Sequence, residues 1–145
     1  TMSEHAVLNA NYLRHKIMEE AEAKGVSHVF CDGAPVDVVK HEFTLSLAPL
    51  KEQKGLGAMD VAKGLLDKGY MAPTVYFPLI VPECMMIEPT ETESKEVLDE
   101  FAKRFVEVLQ EDADVLHNAP VTTKVRRVDE VYAARNLTLS YPFDE

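Results

Sequence analysis

The stretch MMIEPTETESKEVLDEF (residues 85–101) decides the fold class. Met85, Met86 and Ile87 suit a short strand. Pro89 pushes Glu88 out of the helical region and ends that run. Thr90 and Glu93 have the Thr-x-x-Glu spacing of a capping box, in which each side chain satisfies one orphan backbone donor at a helix start. Glu91, Glu93 and Glu96 fall near the positive end of the helix dipole. Val97, Phe101, Phe105 and Val108 then recur at helical spacing. A strand that turns directly into an amphipathic helix points to a mixed fold. The same polar turn also reads as the rim of a working site, and local physics leaves both readings open.

Working outward, the spacing predicts a helix at 94–111 and a strand at 84–87, with a Pro-rich connection at 78–83 and another short strand at 74–77. Residues 58–68 read as a helix with Met59, Ala62, Leu65 and Leu66 inward and Gly69 as its stop. Residues 49–57 read as a polar, Gly-containing loop. Phe43, Leu45 and Leu47 alternate with Glu42, Thr44 and Ser46, which predicts a half-buried strand within 38–47. Residues 26–35 are ambiguous: VSHVF (26–30) reads as a strand, Asp32-Gly33 as a turn. The first helix is expected from a Ser3 cap to about Lys24, with Ala6, Ala10, Leu13 and Ile17 on one stripe, Leu8 and Tyr12 beside it, and Gly25 as its stop. Residues 118–145 show no strong period. They are expected to form an irregular tail packed on the domain or on a partner, with Leu137 and Leu139 pinned down. The expected fold class is therefore α+β, a small antiparallel sheet covered on one face by helices, in one domain at 1–117 followed by the tail.

A chain of 145 residues supports one domain with a real core. A net charge of -10 argues against nucleic acid as a general partner. The basic run Lys124-Val125-Arg126-Arg127 is answered at once by Asp129 and Glu130. No apolar run reaches the roughly 20 residues of a membrane span. Cys31 and Cys84 form no CxxC pair, which suggests neither a zinc site nor a disulfide framework and fits a reduced, cytoplasmic setting. The chain opens straight into a helical pattern, as a fragment of a longer protein would.

His5, His15, His28, His41 and His117 are scattered, with no metal-ligand spacing. His41 and Glu42 are neighbours on an expected strand, so they point to opposite faces and make no simple dyad. The GLG run (55–57) precedes a helix and reads as a plain loop or as a place for an anion at the helix start. From spacing and composition, no autonomous catalytic constellation emerges.

Four segments together carry a resemblance: LNANYL (8–13), HEFTL (41–45), DVAKGLLDKGYMAPTVYFPLIVPECMMIEPTETESKEVLDEF (60–101) and PVTTKVRRVDEVYAARNL (120–137). They resemble the C-terminal part of glycine decarboxylase, the P-protein of the glycine cleavage system. The FPLIVPE form and the RRVDEVYAARN tail are most similar to subunit 2 of the two-subunit bacterial enzyme. The resemblance implies the C-terminal small domain of a fold-type-I, pyridoxal-phosphate-dependent enzyme. That enzyme releases carbon dioxide from glycine and passes the aminomethyl group to the lipoyl arm of the H-protein. It implies as partners the large cofactor-binding domain of the same subunit, a companion subunit and the H-protein.

The family's cofactor-holding lysine lies in a His-Lys-Thr motif. Here the only His-Lys is His15-Lys16, without the Thr. The resemblance therefore implies a fragment without cofactor, catalytic or metal residues of its own, inactive alone. It also implies that Glu88, Thr90 and Glu91 help form the substrate-cleft rim, with Thr74 and His41 as further rim candidates. Met71 stands where the family often has a histidine before Ala-Pro-Thr. The competing reading is a stand-alone α+β module that binds a ligand or a protein.

Overall fold

In the computed structural model, residues 1–33 and 36–140 are described. The last residues of the ambiguous stretch 26–35 and of the tail thus lie outside the described residues. Among the described residues there are six helices and four strands: α1 (Met2–Ala23), β1 (Cys31–Asp32), β2 (Phe43–Ser46), α2 (Ala48–Lys54), α3 (Ala58–Asp67), β3 (Thr74–Val75), β4 (Cys84–Ile87), α4 (Lys95–Gln110), α5 (Ala113–Asn118) and α6 (Glu130–Arg135). The strands form one sheet in the order β1-β2-β4-β3, every pair antiparallel. The expected α+β class holds.

Register explains the two faces. Phe43 pairs with Ile87 and Leu45 with Met85, and all four are buried. They meet a core built from Leu13 and Ile17 of α1, Val61 and Leu65 of α3, and Phe105 and Leu109 of α4. α1 packs chiefly on α4. Thr44, Met86 and Thr74 share the opposite face by the same pairing. Cys31, Ser46 and Cys84 form one row across three strands. The two cysteines are therefore separated by a whole strand, about 9–10 Å between Cα atoms, beyond disulfide reach. Both are free thiols.

Several local expectations are corrected. Thr1, not Ser3, caps α1, in a reciprocal box with Glu4. Residues 27–29 form a 3-10 turn rather than a strand, with the Val29 N–H bonded back to the Val26 carbonyl at 3.2 Å; Val29 and Phe30 are both buried. Strand β2 is shorter than the alternating run. Ser46 is buried because its hydroxyl donates to the Pro82 carbonyl at 2.7 Å, and Leu47 is buried as the residue before α2. The expected loop at 49–57 contains α2. Pro49 sits in the first helical turn, where no N–H is needed; Leu50 is its buried anchor, and Gly55 ends it at φ +71°. Strand β3 stops at Val75, because Tyr76 takes a left-handed backbone. Helix α5, unforeseen, docks through Leu116. Leu137 and Leu139 are exposed, not pinned.

The α4 start is corrected too. Ser94 is the cap, its hydroxyl accepting from the Val97 N–H at 3.4 Å, while Thr90 bonds Thr92. The buried face runs through Leu98, Ala102, Phe105, Val106, Val108 and Leu109, with Phe101 packed against it; of the expected stripe only Val97 is exposed. Ser94→Ala should cost about 1 kcal/mol of stability, whereas Thr90→Ala should cost less than half of that. Urea denaturation of the two variants measures the difference, and the reverse ranking would restore Thr90 as the cap.

Candidate functional site

One groove gathers two of the residues singled out in the sequence, Glu88 and Thr90. It has a volume of about 320 Å³ and lies between α1, the 70–73 loop, the 87–93 turn and the first half of α4. Its floor is apolar, with Leu13, Ile87, Leu98 and Phe101. Tyr70 stands edge-on to Phe101, ring centroids 5.3 Å apart. Burial, and to a lesser degree Glu100, raises the Tyr70 hydroxyl pKa. Glu88, Thr90 and Glu93 bring the polar groups of the rim.

The rim is held from across the fold. The Asn9 side-chain amide on α1 donates to the Thr90 carbonyl at 2.8 Å and to the Glu93 carbonyl at 3.1 Å. Asn11, two residues on, exchanges two hydrogen bonds with the Val39 backbone, which positions the segment leading to His41. His41 Nε2 then lies 3.8 Å from Glu88 Oε1. Both side chains are more than half exposed, so this contact orients the carboxylate more than it stabilises the fold.

Of the five rim candidates, Glu88 and Thr90 line the groove and His41 flanks it through Glu88. Glu91 lies in the same turn but not on the groove wall. Thr74 pairs with Met86 and so stands on the sheet face opposite the core, although its neighbour Pro73 does line the groove. Reading the sequence missed Tyr70 and Phe101 as the aromatic floor and Asn9 as the brace. The only local signal for Asn9 was two polar residues, Asn9 and Asn11, within an otherwise apolar helical stretch.

The anion place suspected at GLG is filled from within the chain. Glu83 Oε2 accepts from the Ala58 N–H at 2.9 Å, and Asp60 Oδ2 accepts from the Gly57 N–H at 2.9 Å. Two carboxylates thus neutralise the α3 start. Among the described residues no cluster of three or more metal-ligating side chains occurs, and no helix is long and apolar enough to cross a membrane. The groove offers an apolar floor with the Glu88 and Glu93 carboxylates on its rim, and the His41 imidazole stands beside Glu88 outside the lining.

Residues 2–131 match the family model described as "Glycine dehydrogenase, C-terminal domain". The chain is 50% identical over 143 residues to a protein of Nitrosospira multiformis named "Probable glycine dehydrogenase (decarboxylating) subunit 2", covering 97% of this chain and 27% of that protein. Proteins of the same name are 48% identical in Thiobacillus denitrificans, over 97% of this chain and 28% of theirs, and 49% identical in Desulforamulus reducens, over 92% and 26%. The chain spans about a quarter of the length of the curated relatives it matches.

Proposed function

We propose a function from the premise that this chain belongs to the glycine dehydrogenase C-terminal-domain family. It serves as the small domain of a glycine decarboxylase subunit 2 and supplies part of the substrate-cleft wall. The complete enzyme takes carbon dioxide from glycine and hands the aminomethyl group to lipoyl H-protein, with a companion subunit as partner. The observation that carries this reading is the match at about half identity over 97% of the chain. A cytoplasmic setting belongs to the same reading and is supported by two free thiols.

Pyridoxal phosphate, the cofactor of such an enzyme, does not fit this domain's own groove. Among the described residues no Lys or Arg lines it, and Glu88 and Glu93 would repel a phosphate. Lys16 is unsuited to hold the cofactor as well. Its ammonium pairs with Glu19 at 2.9 Å and Glu20 at 3.3 Å. Those hydrogen bonds, Glu19 first, raise its pKa, the opposite of what a nucleophilic lysine needs. In this reading the cofactor is held elsewhere in the enzyme. The domain's own residues act by contact: Glu88, steadied by His41, and the Thr90 turn, steadied by Asn9, face the cleft and orient what enters it.

The test is exchange of the glycine carboxyl carbon with bicarbonate, in the full-length polypeptide with companion subunit and H-protein. Glu88→Gln and Asn9→Ala should each lower exchange by at least about tenfold, the scale of one lost charged or bracing hydrogen bond, with the fold intact by circular dichroism. Undiminished exchange in both variants would remove the groove from the cleft.

A further inference from the structure

The groove at the start of α4 carries charge of one sign only. Glu88 and Glu93 stand on its lining, and no Lys or Arg does. Among the described residues the Glu93 carboxylate meets no cation, and Glu88 meets only the His41 imidazole, at 3.8 Å. Cations of α4 are held by other carboxylates. Lys95 donates to Asp99 at 2.7 Å and lies over the Tyr12 ring, while Arg104 pairs with Glu100 and Glu107 at 2.8 and 2.9 Å. The negative charge of the rim is therefore open to something that enters the groove.

The floor below that rim is apolar and held in place before anything binds. Gly69 leaves α3 at φ +86°, and the Tyr70 N–H donates back to the Leu65 carbonyl at 3.0 Å, the hydrogen bond that closes a helix on a left-handed glycine. That closure sets Tyr70 edge-on to Phe101, and the nearly parallel Phe105 ring backs Phe101. Leu98 and Ile87 are anchored in the core. The opposite lip is the 90–93 turn, whose two carbonyls Asn9 clamps. Met71 lines the groove at 90% exposure.

A preformed apolar slot of about 320 Å³ has the size of a small ligand pocket, in which a few polar groups fix orientation. Here those groups are carboxylates. They accept hydrogen bonds and attract positive charge, most strongly beside apolar walls, where the effective dielectric is low. An anion is repelled by the same rim. A neutral apolar molecule gains the floor and nothing from the rim. The chemistry that satisfies both is an apolar chain that ends in a primary ammonium. We propose that this groove is a binding site for small alkyl amines, with the chain on Leu98 and Phe101 and the ammonium at Glu88 and Glu93. Glycine is not such a ligand, because its carboxylate lies one carbon from its ammonium and it has no chain to bury. The site lies in the groove read above as cleft wall, yet it depends on none of the complete enzyme's chemistry.

NMR of the full-length polypeptide, labelled at its methionine methyl groups, tests the site by titration with n-butylammonium, n-butanol and butyrate at constant ionic strength. Met71, identified by the signal lost in Met71→Leu, reports the groove. Met85, fully buried in the core, reports the fold. n-Butylammonium should move Met71 and leave Met85 still. It should bind at least about fivefold more tightly than n-butanol, the scale of one exposed ion pair at its strongest. Ethylammonium, two methylenes shorter, should bind about tenfold more weakly than n-butylammonium. Glu88→Gln combined with Glu93→Gln should bring n-butylammonium down to the affinity of n-butanol, with Met85 unmoved. An unmoved Met71, equal binding of n-butylammonium and n-butanol by the unchanged protein, or butyrate binding as tightly as the amine would each overturn the proposal. The readout is a methyl shift, so such a failure leaves the cleft reading to the carbon-exchange test.

Discussion

Phe105→Ala is expected to lower the stability of the domain by about 4 kcal/mol. Phe105 is fully buried at the middle of α4, and its ring is shared by two aromatic contacts. Phe30 meets it edge-on at 87° and Phe101 lies nearly parallel at 23°, each with centroids 6.2 Å away. Removing the ring forfeits its transfer energy and leaves a cavity where Phe105 meets Phe30 and Phe101. Against the roughly 5–15 kcal/mol of a typical domain, that loss consumes much of the margin. Phe101 also floors the groove, so the same change should loosen the candidate site. Guanidinium denaturation measures the effect, and a loss under 1 kcal/mol would mean that Phe105 is not the keystone its burial indicates.

Asp60→Ala should cost about 3 kcal/mol. Asp60 is one of the few buried polar residues, 8% exposed. It accepts from the Gly57 N–H and from Arg127 Nη2 at 2.8 Å, with His117 Nδ1 3.5 Å away. Its removal strips the α3 start of a cap and leaves Arg127 without its counter-charge, which removes one of the ties between the tail and α3. Burial alone would raise the Asp60 pKa. The Gly57 amide, the Arg127 hydrogen bond and charge, and His117 outweigh it and hold the carboxyl below the usual aspartate value. Asp67 behaves alike: burial raises its pKa, while the Thr122 amide and hydroxyl and the Val121 amide bring it down.

A carboxylate with a depressed folded pKa stabilises the native state fully above the unfolded pKa of about 3.9. That contribution is lost as the pH falls through the folded value. Stability should therefore hold at pH 6 and fall steadily below about pH 4, and Asp60→Asn should flatten that fall. An acid titration followed by circular dichroism in which both proteins fall with the same slope would exclude Asp60 as a source of the acid sensitivity.

Much of the fold was legible locally. Strand β4 has the limits its apolar run suggested, and α3 and α4 end within a residue of where Gly69 and the loss of periodicity place them. These elements carry their own start and stop chemistry, so a short window suffices. The candidate site was legible only in part. Glu88 and Thr90 stand out because a polar turn follows an apolar strand, and they do line the groove. Glu91 and Thr74 have the same residue chemistry, but the turn and the sheet register point them elsewhere.

What the sequence by itself determined was the α+β class and, through a long specific run from 60 to 101, the family. What only the tertiary structure decided was which of two caps α4 uses and where its buried face begins, the order of the sheet, and the meeting of α1 with the 87–93 turn. Val97 and Leu98 are equally apolar and differ only in what lies opposite them. Asn9 braces Thr90 across 81 residues of chain. Local periodicity reports which segments are amphipathic, but the partner that covers each one, and the side chain that reaches it, is set by packing between segments far apart in the chain.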